Sequence, residues 1–294
     1  MKVSVTLMSL IFLALSCFAQ DEDLLKSISN DSGSKELVTN AFKSSRVINA
    51  HSMEFIGKGV LDFRILHRFG RVNLGWKEMF GLDIARMRLG FDYGVTKNLT
   101  IGIGRSTLQK ELDGFFKFRP VQQSLGVNAF PVSLVLVGGI TVQTTTRPDS
   151  VSLADKTAYY AQVIIGRKFT DRFTLQLTPT FVHRNTIVRN DERNIYAVGA
   201  GGRYKFSKRM ALVVDYFYLL NGLPKEQLFN PLSIGIDIET GGHVFQLHFS
   251  NSNGMNERAF VTETIYDWGK GDVMFGFNLS RVFNIGRKNK SKEW

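Results

Sequence analysis

The chain has 294 residues, a formal net charge of +11, 12% aromatic residues and one cysteine, Cys17. Its mean hydropathy of −0.06 and the lack of any later run of ~18 apolar residues exclude a helical membrane protein. One cysteine excludes a disulfide framework, and the basic excess comes with no nucleic-acid recognition motif, so nucleic acid is not an expected partner.

Residues 1–20 read as a secretory signal peptide. Lys2 supplies the positive end, Val3–Leu15 the apolar stretch and Ser16–Gln20 the small-residue cleavage region, ahead of acidic Asp21-Glu22-Asp23. Cys17 permits a lipoprotein alternative, although Ala14-Leu15-Ser16-Cys17 is a poor lipobox. Cleavage beyond it leaves no thiolate chemistry. Residues 21–50 follow as a periplasmic arm or a plug. Within them, Lys35–Ile48 spaces Leu37, Val38, Ala41, Phe42 and Val47 along one side of a helix, with Ser32 or Ser34 as its cap.

From residue 51 the chain alternates apolar and polar positions in repeated short segments. Gly59–Arg68 sets Leu61, Phe63 and Ile65 against Asp62 and Arg64. Arg86–Tyr93 sets Met87, Leu89 and Phe91 against Arg86, Arg88, Gly90 and Asp92. Leu99, Ile101 and Ile103 alternate with Thr100, Gly102 and Gly104, and Phe116 and Phe118 oppose Lys117 and Arg119. Val132–Gln143, Thr157–Lys168, Phe173–His183, Asn194–Phe206, Met210–Leu219, Pro231–Glu239, Val244–Ser250 and Asp272–Phe283 continue the series. Period two marks a strand. The count is about twelve, plus or minus two.

Short turns are expected at Thr96–Asn98, Thr170–Arg172, Ser207–Arg209 and Gly241-Gly242. Long links are expected at Gly70–Gly81, Arg105–Asp113, Thr144–Lys156, Arg184–Arg193, Asn221–Asn230 and Asn251–Gly271. Pro120–Pro131 is a long link where a short one is due. Alternating short and long links, with aromatic and aliphatic residues on every second position, describe an all-β, up-and-down antiparallel transmembrane barrel over 51–286. A short helical arm precedes it and a basic periplasmic tail, 287–294, follows. An even strand count places both ends of the barrel on the periplasmic side of a Gram-negative outer membrane.

Several stretches carry a resemblance. They are Asn49-Ala50-His51-Ser52-Met53-Glu54, Phe63–Gly70, Gly81–Gly90, Leu99–Ser106, Gly114–Arg119, Gln246–Asn251 and Phe275–Phe283. Over about Asn49 to Phe283 the chain resembles a family of β-barrel proteins from Bacteroidota catalogued as a domain of unknown function. The resemblance implies an outer-membrane barrel and brings no catalytic residues with it.

A charge facing lipid at mid-depth costs about 2–4 kcal/mol. The charges on the polar strand faces are therefore expected to point into the lumen: Asp62, Arg64, Arg86, Arg88, Asp92, Arg105, Lys117, Arg119, Arg203, Asp215 and Asp237, with Arg167 and Arg184 beside them. They form either a self-paired network or a cationic lumen favouring anions. Catalytic motifs are lacking. There is no Gly-x-Ser-x-Gly elbow and no phosphate loop, and the glycine-rich Gly199–Gly202 lies in a strand. Among five scattered histidines, His183 with Ser106 is the least poor pair for a lipase-like hydrolase, and His51 and His67 make no metal pattern. The expectation is a non-enzymatic barrel without cofactor or metal. It binds outer-membrane lipid and passes or binds a small solute through a lumen of intermediate bore. A structural barrel with a periplasmic protein partner is the alternative.

Overall fold

The computed structural model describes residues 34–145, 152–186, 192–222, 227–240 and 243–286. The expected signal peptide, the Gly241-Gly242 turn and the basic tail lie outside the described residues. Twelve strands close into one barrel. They are β1 (Val60–Arg71), β2 (Arg86–Thr96), β3 (Leu99–Ser106), β4 (Glu111–Val121), β5 (Ser133–Gln143) and β6 (Thr157–Lys168). The circuit continues with β7 (Phe173–Arg184), β8 (Asn194–Lys205), β9 (Met210–Leu219), β10 (Leu232–Thr240), β11 (His243–Ser250) and β12 (Met274–Asn284). Each strand pairs antiparallel with its neighbour in sequence, and β12 returns to pair with β1, Leu279 opposite Ile65. Closure removes both sheet edges, as a wall in lipid requires.

Alternation explains the wall. On β3, Ile101 and Ile103 are exposed while Gly102, Gly104 and Ser106 are buried. On β4, Phe116 and Phe118 point out while Phe115, Lys117 and Arg119 point in. Strands of eight to twelve residues match what a tilted strand needs to cross a bilayer. Outward rings gather in clusters: His67 stacks on Phe277 at 4.8 Å, and Phe69 on Phe275 at 5.8 Å. The inward glycines make room. A Cβ on Gly104 would lie 2.3 Å from Arg88 Nη2, so Arg88 can lie along the inner wall only because that position is bare.

The links depart from expectation in two places. The connection near Arg105–Asp113 is tight, because β3 and β4 run on through Ser106 and from Glu111. The over-long 122–132 link is explained by a second, tiny sheet. Its Ser124–Leu125 pairs with Glu36–Leu37 on the turn side of the barrel.

The helix expected over Lys35–Ile48 does not form. After the Glu36–Leu37 strand the chain runs irregularly through residue 59, with a narrow hairpin bridged at Arg46 and His51 and closed by Val47 N–H to Ala50 O, 2.8 Å. Leu37 is 43% exposed, but the apolar residues from Ala41 to Met53 are buried all the same: Ala41, Phe42, Val47, Ile48, Ala50 and Met53 are each at most 4% exposed. They lie inside the lumen. There the Ile48 N–H goes to Asp215 of the wall, while the Ala41, Arg46 and Val47 N–H groups go to Glu54, Ser44 and Ala50 of the insert itself, so tertiary contact overrides local propensity.

A second segment enters from the opposite, long-loop side. Residues 251–264 are buried through a short helix, α1 (Glu257–Thr262), capped by Asn256, whose Oδ1 accepts the Ala259 N–H at 2.9 Å. The two insertions occupy the lumen from its two ends.

Candidate functional site

The lumen has two unlike halves. From β5 to β8 the inward positions include Val135, Val137, Ile164, Val182, Ile195 and Ala197. These join Phe42, Val47, Ile48 and Met53 of the N-terminal insert and Phe260 and Val261 of the loop in one apolar cluster. The inner face keeps polar positions on these strands too, Gln162 on β6 and Thr174, Gln176, Thr178 and Thr180 on β7, so the apolar packing here is added to the expected polar face. From β10 through β12 and on to β4 the inward residues are mainly polar or charged, with Leu66, Phe115 and Met274 as apolar exceptions. β9 is the seam, with Val213 and Phe217 apolar and Asp215 between them.

Asp215 is the anchor of the hairpin. Its Oδ2 accepts three successive backbone N–H groups, from Ile48 at 3.2 Å, Asn49 at 2.7 Å and Ala50 at 3.1 Å. Successive N–H groups converging on one carboxylate form an anion nest, here made by the insert around a wall residue. Around the rest of the polar half, Ser233 accepts from Asn49 at 2.9 Å, Gln246 donates to Val47 O at 2.6 Å and Asn278 to Ile48 O at 3.1 Å. Arg68 donates to Asn49 Oδ1 at 2.6 Å and also contacts His248. Across the lumen, Gln176 on β7 accepts the Met53 N–H and donates to His51 O.

The two insertions meet each other. Arg46 Nη1 donates to Glu257 Oε1 at 2.8 Å and to Asn49 O at 2.7 Å, with both charged side chains at most 2% exposed. His51 Nε2 lies 3.2 Å from the same carboxylate oxygen. Burial first, then Arg46, Lys117, Arg88 and Arg64, hold the His51 pKa well below the usual histidine range. Neutral at pH 7, it is a polar neighbour of Glu257 rather than its counter-ion. The loop is held in turn by Arg258, which donates to Glu111 Oε1 at 2.5 Å and to Glu263 Oε1 at 2.5 Å.

Ten of the eleven charges expected in the lumen share the inward face. Arg64 joins Asp62 at 2.6 Å and Asp92 at 3.1 Å, which settles two carboxylates that stand directly opposite each other across β1 and β2. Arg88 pairs with Asp113, two bonds at 2.8 and 2.5 Å. Lys117 caps the Ser45 and Glu54 carbonyls at 3.2 and 2.6 Å. Arg119 donates to Lys97 O and Asn98 Oδ1, Arg203 meets Glu239 at 3.2 Å, and Asp237 accepts from Gln246 at 2.7 Å. Arg86 is half-buried at the loop-side end of β2.

Arg105 is a correction. It is exposed on the outer face, paired across to Leu89, as its parity with Ile101 and Ile103 requires. It stands near a strand end, where a long cation reaches the polar interface. Arg167 has the same outward parity, over the Phe169 ring. Arg64, Arg88 and Arg203 meet carboxylates, whereas Lys117, Arg119 and Arg68 are held by neutral oxygen or nitrogen acceptors.

Arg68, Glu111 and Asp113 went unremarked in the sequence although their strand parity marks them as inward. Arg46, His51, Glu257 and Arg258 had no such signal, since they sit in links. Ser106 and His183 are not brought together. Ser106 is buried toward the lumen, while His183 has the outward parity and bonds to Asn194 and Asn185. His51 and His67 likewise lie on opposite sides of the wall.

The family described as a membrane bound beta barrel domain (DUF5777) matches residues 42–283. The chain belongs to this family. The match starts inside the N-terminal insert, so the insert is part of the family's domain along with the wall. No curated protein matches the chain. Among solved structures, the NanC porin is 8% identical, covering 76% of this chain and 98% of its own at a TM-score of 0.46. The KdgM porin is 10% identical, 76% and 99% covered, at 0.44. The COG4313 outer membrane channel from Pseudomonas putida F1 is 12% identical, 78% and 97% covered, at 0.47.

Proposed function

We propose that this membrane-bound barrel works in the outer membrane of a Gram-negative bacterium, delivered by its signal peptide, as a passage for a small polar solute that its own insertions hold shut. The observation that carries this reading is the asymmetry of the lumen. The apolar half anchors the insert. The polar half holds it mainly through hydrogen bonds and ion pairs, which water or a hydroxylated solute can replace one at a time. The exposed apolar belt, including Phe91, Ile103, Phe116, Leu177 and Tyr218, is the surface for lipid. The reading is non-enzymatic and uses no cofactor.

Planar-bilayer conductance and liposome swelling test it. The mature chain is expected to conduct rarely. Glu257→Gln, which unties the two insertions, is expected to open it more often. No conductance and no solute uptake from either protein defeats the reading.

A second reading, a structural barrel in an envelope complex, is favoured by the ribbon on the turn side. There Leu37, Leu125, Val127 and Phe130 are 43–59% exposed, outside the barrel circuit. Affinity capture from membranes separates the two. A partner lost on Leu125→Asp supports the complex, and a barrel recovered alone removes it.

A further inference from the structure

Between the insert and the polar wall, at the turn-side end, lies a cavity of about 340 Å³. That is large enough for a small ligand. One side is the insert, with Lys43, Ser44 and Glu54. The other is the inner face of β1, β10 and β12, with Asp62, Arg64, Glu239 and Ser280. All but one of these charged residues are in ion pairs. Lys43 meets Glu239 at 3.1 Å, Glu239 also meets Arg203 at 3.2 Å, and Arg64 meets Asp62 at 2.6 Å. Glu54 accepts the Ala41 N–H at 2.9 Å and lies within electrostatic reach of Lys117 and Arg119. The hydroxyls are held by the same groups: Ser280 donates to Asp62 at 2.6 Å, and Ser44 accepts from Arg64 at 2.9 Å.

This pattern discriminates by charge. An ionic solute entering here would shed water and find Lys43, Arg64, Asp62 and Glu239 already paired and Glu54 already holding a backbone N–H, so its desolvation would be poorly compensated. A neutral solute carrying several hydroxyls meets no such penalty. Each paired carboxylate still has lone pairs to accept from a hydroxyl, and the hydroxyl oxygen can accept from Lys43. We infer that the turn-side cavity between the N-terminal insert and the β1/β10/β12 wall is a binding site for a neutral polyhydroxylated solute of monosaccharide size. This rests on the passage reading only for its purpose; the binding itself does not.

The test uses the full mature chain in lipid nanodiscs and equilibrium dialysis at neutral pH with glucose, glucuronate and glucosamine. Glucose is expected to bind at least about tenfold more tightly than either charged sugar, a discrimination typical of misplaced charge. Lys43→Gln leaves excess negative charge and is expected to shift preference toward glucosamine. Glu239→Gln leaves Lys43 and Arg203 uncompensated and is expected to shift it toward glucuronate. Both side chains are partly exposed, 28% and 21%, so neither change threatens the barrel. Failure of all three sugars to bind overturns the inference. So does preference for a charged sugar in the unaltered protein, or an order that neither variant moves. Conductance measured in parallel keeps the two claims apart. Sugar bound by a barrel that never conducts sinks the passage and spares the site, while conduction without sugar binding does the reverse.

Discussion

The insert touches two kinds of wall. Against β5–β8 it buries Phe42, Val47 and Met53 among valines and isoleucines, a contact that does not depend on direction, salt or pH. Against β9–β12 and β1–β4 it is held by Asp215, Gln246, Asn278, Arg64 and Lys117, a contact in which each group has a named partner at 2.6–3.2 Å. The difference teaches that one half of the lumen can act as an anchor while the other acts as a latch. Each large apolar side chain buried on the anchor side contributes about 1.5–3 kcal/mol whatever occupies the latch side.

Breaking one wall and not the other sharpens this. The largest effect is expected from Glu257→Gln, which strands Arg46 as an uncompensated buried charge. A loss of about 3–5 kcal/mol should appear in urea unfolding in detergent, and hydrogen exchange should quicken over residues 44–52. Ile48→Ala, on the anchor side, is expected to cost about 2–4 kcal/mol through the cavity it leaves, with no new dependence on salt. If its cost does vary with salt, the two-wall distinction is wrong. Asp215→Asn keeps the shape of the nest but removes its charge, for about 1.5–3 kcal/mol. It should loosen the hairpin without unfolding the wall, as limited proteolysis would show.

The pH response belongs to the latch and has a definite sign. The folded His51 pKa lies below its unfolded value, so the folded protein resists taking the proton. The stability this contributes is complete above about pH 6.5, the unfolded value. It is lost progressively as pH falls from there toward the folded value. His51→Gln is expected to flatten that slope in unfolding titrations between pH 7 and 5, and an unchanged slope would contradict the assignment. The smallest effect is expected from Arg105→Gln on the outer face, within about 0.5 kcal/mol. A large loss there would return Arg105 to the lumen.

How much of this was readable follows from the range of each signal. The inward Asp62, Arg64, Arg88 and Asp92 could be picked out because side-chain direction alternates within a few residues. The misplacement of Arg105 came from weighing its charge above its parity with Ile101 and Ile103. The partners were harder. Arg88 is held by Asp113, 25 residues on and two strands away, and Arg46 by Glu257, 211 residues on and in a different link. No local pattern connects such pairs. The apolar spacing of Lys35–Ile48 was read as helical, yet it buries Ala41, Phe42 and Val47 in an irregular insert, because a helix and an irregular segment can bury the same residues.

The wall, its inside and its outside were determined by the chain alone, since pleating turns a period of two into two faces wherever the strand is placed. Whether the space within was open or filled was decided only when the barrel closed. Closure brought Asp215 to the backbone of residues 48–50 and Glu257 to Arg46. Those contacts, between segments with no shared periodicity, take their energy from burial that exists only in the finished barrel.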